Sequence, residues 1–276
     1  MFEKVGIIGV GMVGGALRRY FEKVRNIKPF LYDKGKNLGS IQEINKADVV
    51  FICVPTPFDT SKNYFDSSYV EDAISKIEGE KIIVVKSTVL PGSTNNLQER
   101  YSHHKILHNP EFLTEDAPYY DMCYPDRQVV GYTKKSYDIA KDILKILPKA
   151  PISKIIPAIE SEMVKYFANS WLSAKVIFAN QTYDLCQEMG IDYNTIKELV
   201  IADKRIGKSH FEVLHKGKRG YAGRCLLKDM KALIHFADKK GVNLELHKLI
   251  DKINDKLLKE QGIFDPENYH REQKHV

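Results

Sequence analysis

The chain has 276 residues, 43% hydrophobic and 28% charged, with a net charge of +6 spread along its length. This is the balance of an ordinary globular protein with a real core, in one large domain or two smaller ones. The mild, dispersed charge suits an anionic small ligand better than a nucleic-acid duplex. Four widely separated cysteines, Cys53, Cys123, Cys186 and Cys225, form no CxxC pair, and no histidine stands at metal-ligand spacing. No disulfide framework and no metal site are therefore expected, and a reducing cytoplasm is the default compartment. No window approaches the roughly 18 apolar residues of a membrane span, so no membrane partner is expected.

In chain order, "KVGIIGV", "PFLYD", "ADVVFICV", "KIIVVKST", "HKILHN" and "RQVVGY" read as short strands separated by helical segments. Alternation of this kind predicts βαβ units and a parallel sheet. The runs are nearly continuous in apolar residues, as strands covered by helices on both faces should be. The fold class expected is α/β: an N-terminal doubly wound domain over 1–155, then a helical domain over 156–262 and a polar tail over 263–276. The helical part opens with one long helix from Glu160 to about Gly190, uninterrupted by proline or glycine. Its broad apolar set (Met163, Tyr166, Phe167, Trp171, Val176, Phe178, Leu185) predicts packing on two sides, one of them another subunit. A shorter helix in "IDYNTIKELVIA", a basic loop over 204–222 and two helices at about 226–240 and 244–260 follow.

"GIIGVGMVGGAL" carries GxGxxG at Gly9, Gly11 and Gly14, directly after a strand and before the helix "GALRRYFEKV". These glycines provide a tight turn, room for a pyrophosphate against backbone, and close packing of helix on strand. Exposed amides at the helix N-terminus favour the phosphates. The second strand ends at Asp33, whose carboxylate can accept the adenosine ribose hydroxyls and repel a 2′-phosphate. That favours NAD over NADP, with Lys34 and Lys36 arguing the other way.

Further along stand "CVPTP", "KSTVLPGST", "NPEFLTEDAPYYDMCYPDR", "EMVKYFANSWLSAKVIFANQ" and "GYAGRCLLKD". In this order and spacing the chain resembles the UDP-glucose/GDP-mannose dehydrogenase family. The resemblance implies NAD-dependent oxidation of the C6 primary alcohol of a nucleotide sugar to the carboxylate, through a thioester on Cys225. It implies an active site of Thr88, Glu111, Glu115, Lys165, Asn169 and Asp229, with Glu111 activating water, Lys165 and Asn169 holding an oxyanion, and Asp229 positioning water or taking a proton. It implies NAD contacts at Gly9, Gly11, Met12, Val13, Gly14, Asp33, Pro55, Thr56, Thr88 and Glu115. Substrate contacts are implied at Phe112, Leu113, Lys165, Asn169, Arg205, Gly220 and Tyr221.

The chemistry asks for such groups independently. A hydride leaves carbon only as its hydroxyl loses a proton, so a base and a cationic or amide donor must face one oxygen. Lys165 and Asn169, four apart, share a helix face. A thiolate traps the aldehyde, and a helix N-terminus with Arg224 and Lys228 nearby lowers a thiol pKa.

The family usually shows GFGGSCFPKD around the cysteine. Here Ala222, Arg224, Leu226 and Leu227 depart from it, Arg224 placing bulk and charge beside the sulfur. Full-length members continue into a further α/β domain that helps bind the nucleotide half, and this chain is expected to lack it. The basic loop offers Arg205, Lys208, Lys216, Lys218 and Arg219 for a pyrophosphate, or is a solvated surface loop. Two other readings stay open: a non-catalytic NAD-binding dimer whose partner chain carries the missing domain, and a β-hydroxyacid dehydrogenase working without a cysteine intermediate.

Overall fold

The computed structural model describes residues 2–59, 63–223 and 225–266. Arg224, and the part of the polar tail from residue 267 onward, lie outside the described residues. The chain divides into two compact units, the first made of 1–57 and 65–165, the second of 58–64 and 166 onward.

In the first unit, β1 (Val5–Ile8) leads into α1 (Met12–Lys23), β2 (Phe30–Asp33), β3 (Leu38–Gly39), α2 (Ile41–Ile44) and β4 (Val49–Ile52). A short ribbon of β5 (Phe58–Asp59) and β6 (Tyr64–Phe65), whose residues through Tyr64 belong to the second unit, precedes α3 (Ser68–Ser75) and β7 (Ile82–Val85). Then come α4 (Ser93–Arg100), β8 (Lys105–His108), α5 (Pro118–Cys123), β9 (Arg127–Tyr132), α6 (Tyr137–Ile146) and β10 (Ile152–Pro157). The sheet has eight strands in the order β10-β9-β8-β7-β4-β1-β2-β3.

Strand residues alternate between two helical layers. Ile7, Phe51, Val84 and Leu107 pack with Leu17 and Phe21 of α1 and Ile143 of α6. Val50, Ile52, Ile83, Val85 and Ile106 pack with Val70 and Ile74 of α3 and Leu97 of α4. Burying both faces is why these strands read as continuous apolar runs.

The central strands are parallel and in step, Ile8 pairing Ile52, Ile52 pairing Val85, and Val85 pairing His108. The residues that follow, Gly9, Cys53, Lys86 and Asn109, therefore leave the sheet along one edge. The sheet is not wholly parallel: β9 pairs antiparallel with β8, and β10 pairs parallel with β9. β10 falls in "KAPISKIIPAI", outside the six runs read as strands, because its first residues are exposed at the sheet margin.

The long helix, α7, spans Ala158–Glu188, its residues through Lys165 belonging to the first unit and those from Tyr166 to the second. The second unit adds α8 (Tyr193–Ile201), α9 (Leu226–Lys239) and α10 (Glu245–Glu260). Val176 and Ile177 of α7 pack there with Tyr221, Leu227, Met230 and Ile250. Among the described residues no helix is long and apolar enough to cross a membrane.

One buried carboxylate ties α7 to α4. Glu162 accepts hydrogen bonds from Gly92 N (2.6 Å), Thr94 N (2.8 Å) and Thr94 Oγ1 (2.6 Å), using donors that the start of α4 leaves open. Burial outweighs these bonds and pushes its carboxyl up to about 7. Between its ordinary 4.5 and this value the native state holds the proton more tightly than the unfolded chain, so Glu162's contribution to stability is lost as pH rises. The stability of wild type minus that of Glu162→Gln should fall by on the order of 3 kcal/mol between pH 4.5 and 7.5, read from urea denaturation. Taking the difference cancels the opposite slope from His104 and His108, which burial pushes down to about 4 and about 3.

Candidate active site

The turn from β1 to α1 has the geometry that a dinucleotide needs. Gly9 has φ +86°, and a Cβ there would stand 2.6 Å from the Cys53 carbonyl oxygen. A Cβ on Gly14 would stand 1.9 Å from the Gly9 carbonyl oxygen, so only glycine lets α1 seat this closely. Gly11 differs: a Cβ there meets nothing within 4 Å, leaving open space at the head of α1, where no side chain caps the helix. Met12 is exposed and Val13 half-buried beside it.

Asp33 accepts from Val10 N at 2.7 Å through Oδ2 and from Lys36 N at 3.0 Å through Oδ1. A carboxylate has about four acceptor sites, so capacity remains for ribose hydroxyls. Lys36 Nζ donates to the Val10 carbonyl at 2.5 Å, which engages one of the two cations that argued for NADP. An open Gly11, an uncapped helix start and an anchored Asp33 fit NAD. Thr56 is buried and donates to the Thr88 carbonyl at 2.7 Å, tying the exits of β4 and β7, whereas Pro55 is exposed and Thr88 half-buried.

Also in the first unit, Lys165 Nζ meets Glu111 Oε1 at 2.9 Å, both side chains almost wholly buried. Leu113 N donates to Glu111 Oε2 at 2.9 Å. Burial raises the Glu111 pKa, but the charge and hydrogen bond of Lys165, with the Leu113 amide and Lys86 behind them, hold it below the ordinary carboxylate value. Phe112 lies under the Arg127 guanidinium at 3.8 Å and 5.8 Å from Lys165 Nζ. Glu115 is exposed, so the two glutamates of "NPEFLTE" stand in unlike surroundings.

In the second unit Asp229 is buried between two donors, Asn169 Nδ2 at 2.6 Å and Lys228 Nζ at 2.5 Å. Cys225 is exposed immediately before the first turn of α9, one turn ahead of Asp229, whose amide donates to the Cys225 carbonyl at 3.0 Å. None of the four cysteines is in a disulfide, and Cys186 is a buried core residue.

Asn254 secures the approach to that cysteine. It is fully buried, accepts from Tyr221 N and donates to Tyr221 O, both at 2.9 Å. Gly220, at φ +76°, leaves room for it, since a Cβ there would stand 2.7 Å from Asn254 Oδ1. A sign of this was present in the sequence, because Asn254 lies on the buried face of α10 between Ile250 and Leu258.

The basic loop is less open than its composition suggests. Arg219 donates to Asn180 Oδ1 (3.0 Å) and pairs with Asp184 (2.7 Å), and Lys218 is buried. Arg205 is exposed and pairs with Asp203 at 2.5 Å. Lys208 and Lys216 are exposed. Among the described residues no cluster of His, Cys, Asp and Glu could hold a metal ion.

The two glycines separate binding from folding. Gly11→Ala should keep wild-type stability and weaken NAD at least roughly tenfold in a fluorescence titration, because its methyl enters the open space. Gly14→Ala should lose both folding stability and NAD binding, because its methyl has no room in the folded chain.

Residues 32–147 match the UDP-glucose/GDP-mannose dehydrogenase family, NAD binding domain, and residues 159–256 match the same family's central domain. A UDP-glucose 6-dehydrogenase of Rickettsia prowazekii is 33% identical over 222 residues, covering 77% of this chain and 50% of that protein. One from Campylobacter jejuni is 29% identical over 267 residues, covering 84% and 67%. The structure of a UDP-glucose dehydrogenase from Pyrobaculum islandicum matches with a TM-score of 0.75 at 28% identity, covering 93% of this chain and 68% of that one. The chain spans about half the length of several curated relatives it matches, the Rickettsia protein among them. With both domain matches in sequence order on the two units, the chain belongs to the UDP-glucose/GDP-mannose dehydrogenase family.

Proposed function

We propose that this chain oxidises the C6 primary alcohol of a nucleotide sugar of the UDP-glucose kind to the carboxylate, with Cys225 as covalent carrier. The observation that carries the reading is Cys225, exposed at the start of α9 one turn ahead of a buried Asp229 already gripped by Asn169 and Lys228. NAD, held at Gly9, Gly11, Met12, Val13, Gly14 and Asp33, supplies the hydride acceptor for each of two oxidations. Pro55, Thr56, Thr88 and Glu115 complete that side of the site.

In the first oxidation the hydroxyl gives its proton to Asp229, directly or through a held water, as the C6 carbon loses a hydride. Lys165 offers a cation, and Asn169 an amide N–H besides the one given to Asp229, to the oxygen that gains charge. The Cys225 sulfur then adds to the aldehyde carbon and the oxygen takes a proton, giving a thiohemiacetal. Loss of a second hydride and that proton leaves a thioester. Glu111 draws a proton from water, whose oxygen attacks the carbonyl carbon, and the carbon–sulfur bond breaks to release carboxylate and thiol. Asp229 holds the water or takes the proton. Phe112, Leu113, Arg205, Gly220 and Tyr221 contact the sugar nucleotide. In this division residues 1–155 serve the cofactor and 156–262 carry the cysteine.

A homodimer through α7 belongs to the same proposal. Met163, Phe167, Trp171, Phe178 and Leu185 recur four or seven residues apart and are 40%, 74%, 61%, 66% and 60% exposed. An apolar stripe of this length on one helix is the pattern of a face awaiting a partner.

Purified protein given NAD and UDP-glucose should form two NADH per sugar oxidised, and Cys225→Ser should lower steady-state NADH formation at least roughly a thousandfold while NAD binding stays unchanged. NAD binding without NADH from any of a panel of sugar nucleotides would sink the enzymatic reading in favour of a non-catalytic one. Trp171→Glu should shift the sedimentation of a dimer to that of a monomer, and an unchanged sedimentation coefficient would count against the α7 interface.

A further inference from the structure

Lys86, a buried lysine, is left without a task by this reading. It leaves the end of β7 with 4% of its surface exposed, and its Nζ donates to Asn109 Oδ1 at 2.6 Å and approaches the Asn109 carbonyl at 3.4 Å. Asn109 is fully buried and bonded on every side, its amide to the Val85 carbonyl at 2.9 Å and its Nδ2 to Gln128 Oε1 (2.8 Å) and the Val129 carbonyl (2.7 Å). Two residues on is Glu111.

A neutral donor would satisfy Asn109 Oδ1, so an ammonium here needs another reason, since a buried charge is costly without an opposite charge. The ionisable neighbours identify it. Cys53 stays a thiol, because burial pushes it up to about 12, and His108 stays neutral, because burial pushes it down to about 3. Burial pulls the Lys86 pKa down, the charge of Glu111 holds it up against that, and Lys165 adds to the lowering. Glu111 is the anion of the group: Lys165 on α7 is bonded to it at 2.9 Å, and the charge of Lys86 at the end of β7 adds to the lowering of its pKa.

We propose that Lys86 is a positioning residue for Glu111: clamped on Asn109, it fixes the segment 109–111 and gives the Glu111 carboxylate a second buried counter-charge. The proposal rests on the role given to Glu111 above. Its use is at the moment when Lys165 turns its charge to the developing oxyanion. Glu111 then loses its ion-pair partner but keeps the Leu113 amide, and the charge of Lys86 keeps it ionised and able to accept a proton from water.

The test uses the full chain with Lys86→Met and, in case that variant does not fold, Lys86→Gln, which retains a donor for Asn109 but no charge. Glu111 is titrated by NMR with carboxyl-labelled glutamate, assigned by Glu111→Gln, and the pH dependence of kcat is recorded beside it. Both neutral variants should raise the Glu111 pKa and the acid limb of kcat by about one unit or more, and lower kcat roughly tenfold, with KM for NAD unchanged. Folded variants with a wild-type Glu111 titration overturn the proposal. If the wild-type protein oxidises no nucleotide sugar, the functional reading fails and the Glu111 titration alone still decides the role of Lys86.

Discussion

The register of four parallel strands governs the first unit. Ile8, Ile52, Val85 and His108 stand in one row, so the chain leaves the sheet at Gly9, Cys53, Lys86 and Asn109 along a single edge. Hydrogen-bond ladders buried under helices on both faces make this register costly to change, since a slip of one residue would send every side chain to the wrong layer. The glycine turn, the Thr56 tie to Thr88, the Lys86 clamp on Asn109 and the Glu111 loop all begin within a few residues of that row. Ligand chemistry at the carboxyl ends of strands is the general habit of such sheets, and here the strand pairings set that edge.

Several buried ionisable groups among the described residues follow one rule: each has a partner of opposite sign or a reason to be neutral. Glu111 has Lys165, and Asp229 has Lys228 with an amide donor besides. Lys231 lies between Asp251 and Asp255. Cys53 and His108 are kept neutral by burial. Glu162 sits between these cases, its three hydrogen bonds favouring the anion and its burial favouring the acid, and so it titrates near neutrality.

Much of the fold was legible because its signals are local. A strand buried on both faces must be apolar, a helix must repeat near every fourth residue, and Gly9 and Gly14 are demanded by a turn that tolerates no Cβ. The antiparallel placement of β9 was not legible, because direction is a property of a pair of strands and "RQVVGY" reads alike either way. β10 was missed because an exposed edge strand need not be apolar. In the basic loop the residue types were visible and their partners were not: Arg219 is taken by Asn180 and Asp184, and Lys218 is buried.

The amino-acid sequence by itself determined the parts: a glycine turn between strand and helix, an acid at the end of the second strand, a long helix with too much apolar surface for one neighbour, and the residue types that the proposed oxidation needs. Those follow from chemistry within a few residues of chain. Only the tertiary structure decided which parts meet. It set Glu111 against Lys165 across 54 positions, Asn169 against Asp229 across 60, Asn254 against Tyr221 across 33, and Lys86 against Asn109 across 23. Hydrogen bonds and ion pairs act over a few ångströms, and distance along the chain says little about distance in space until the strands are in register and the helices are packed.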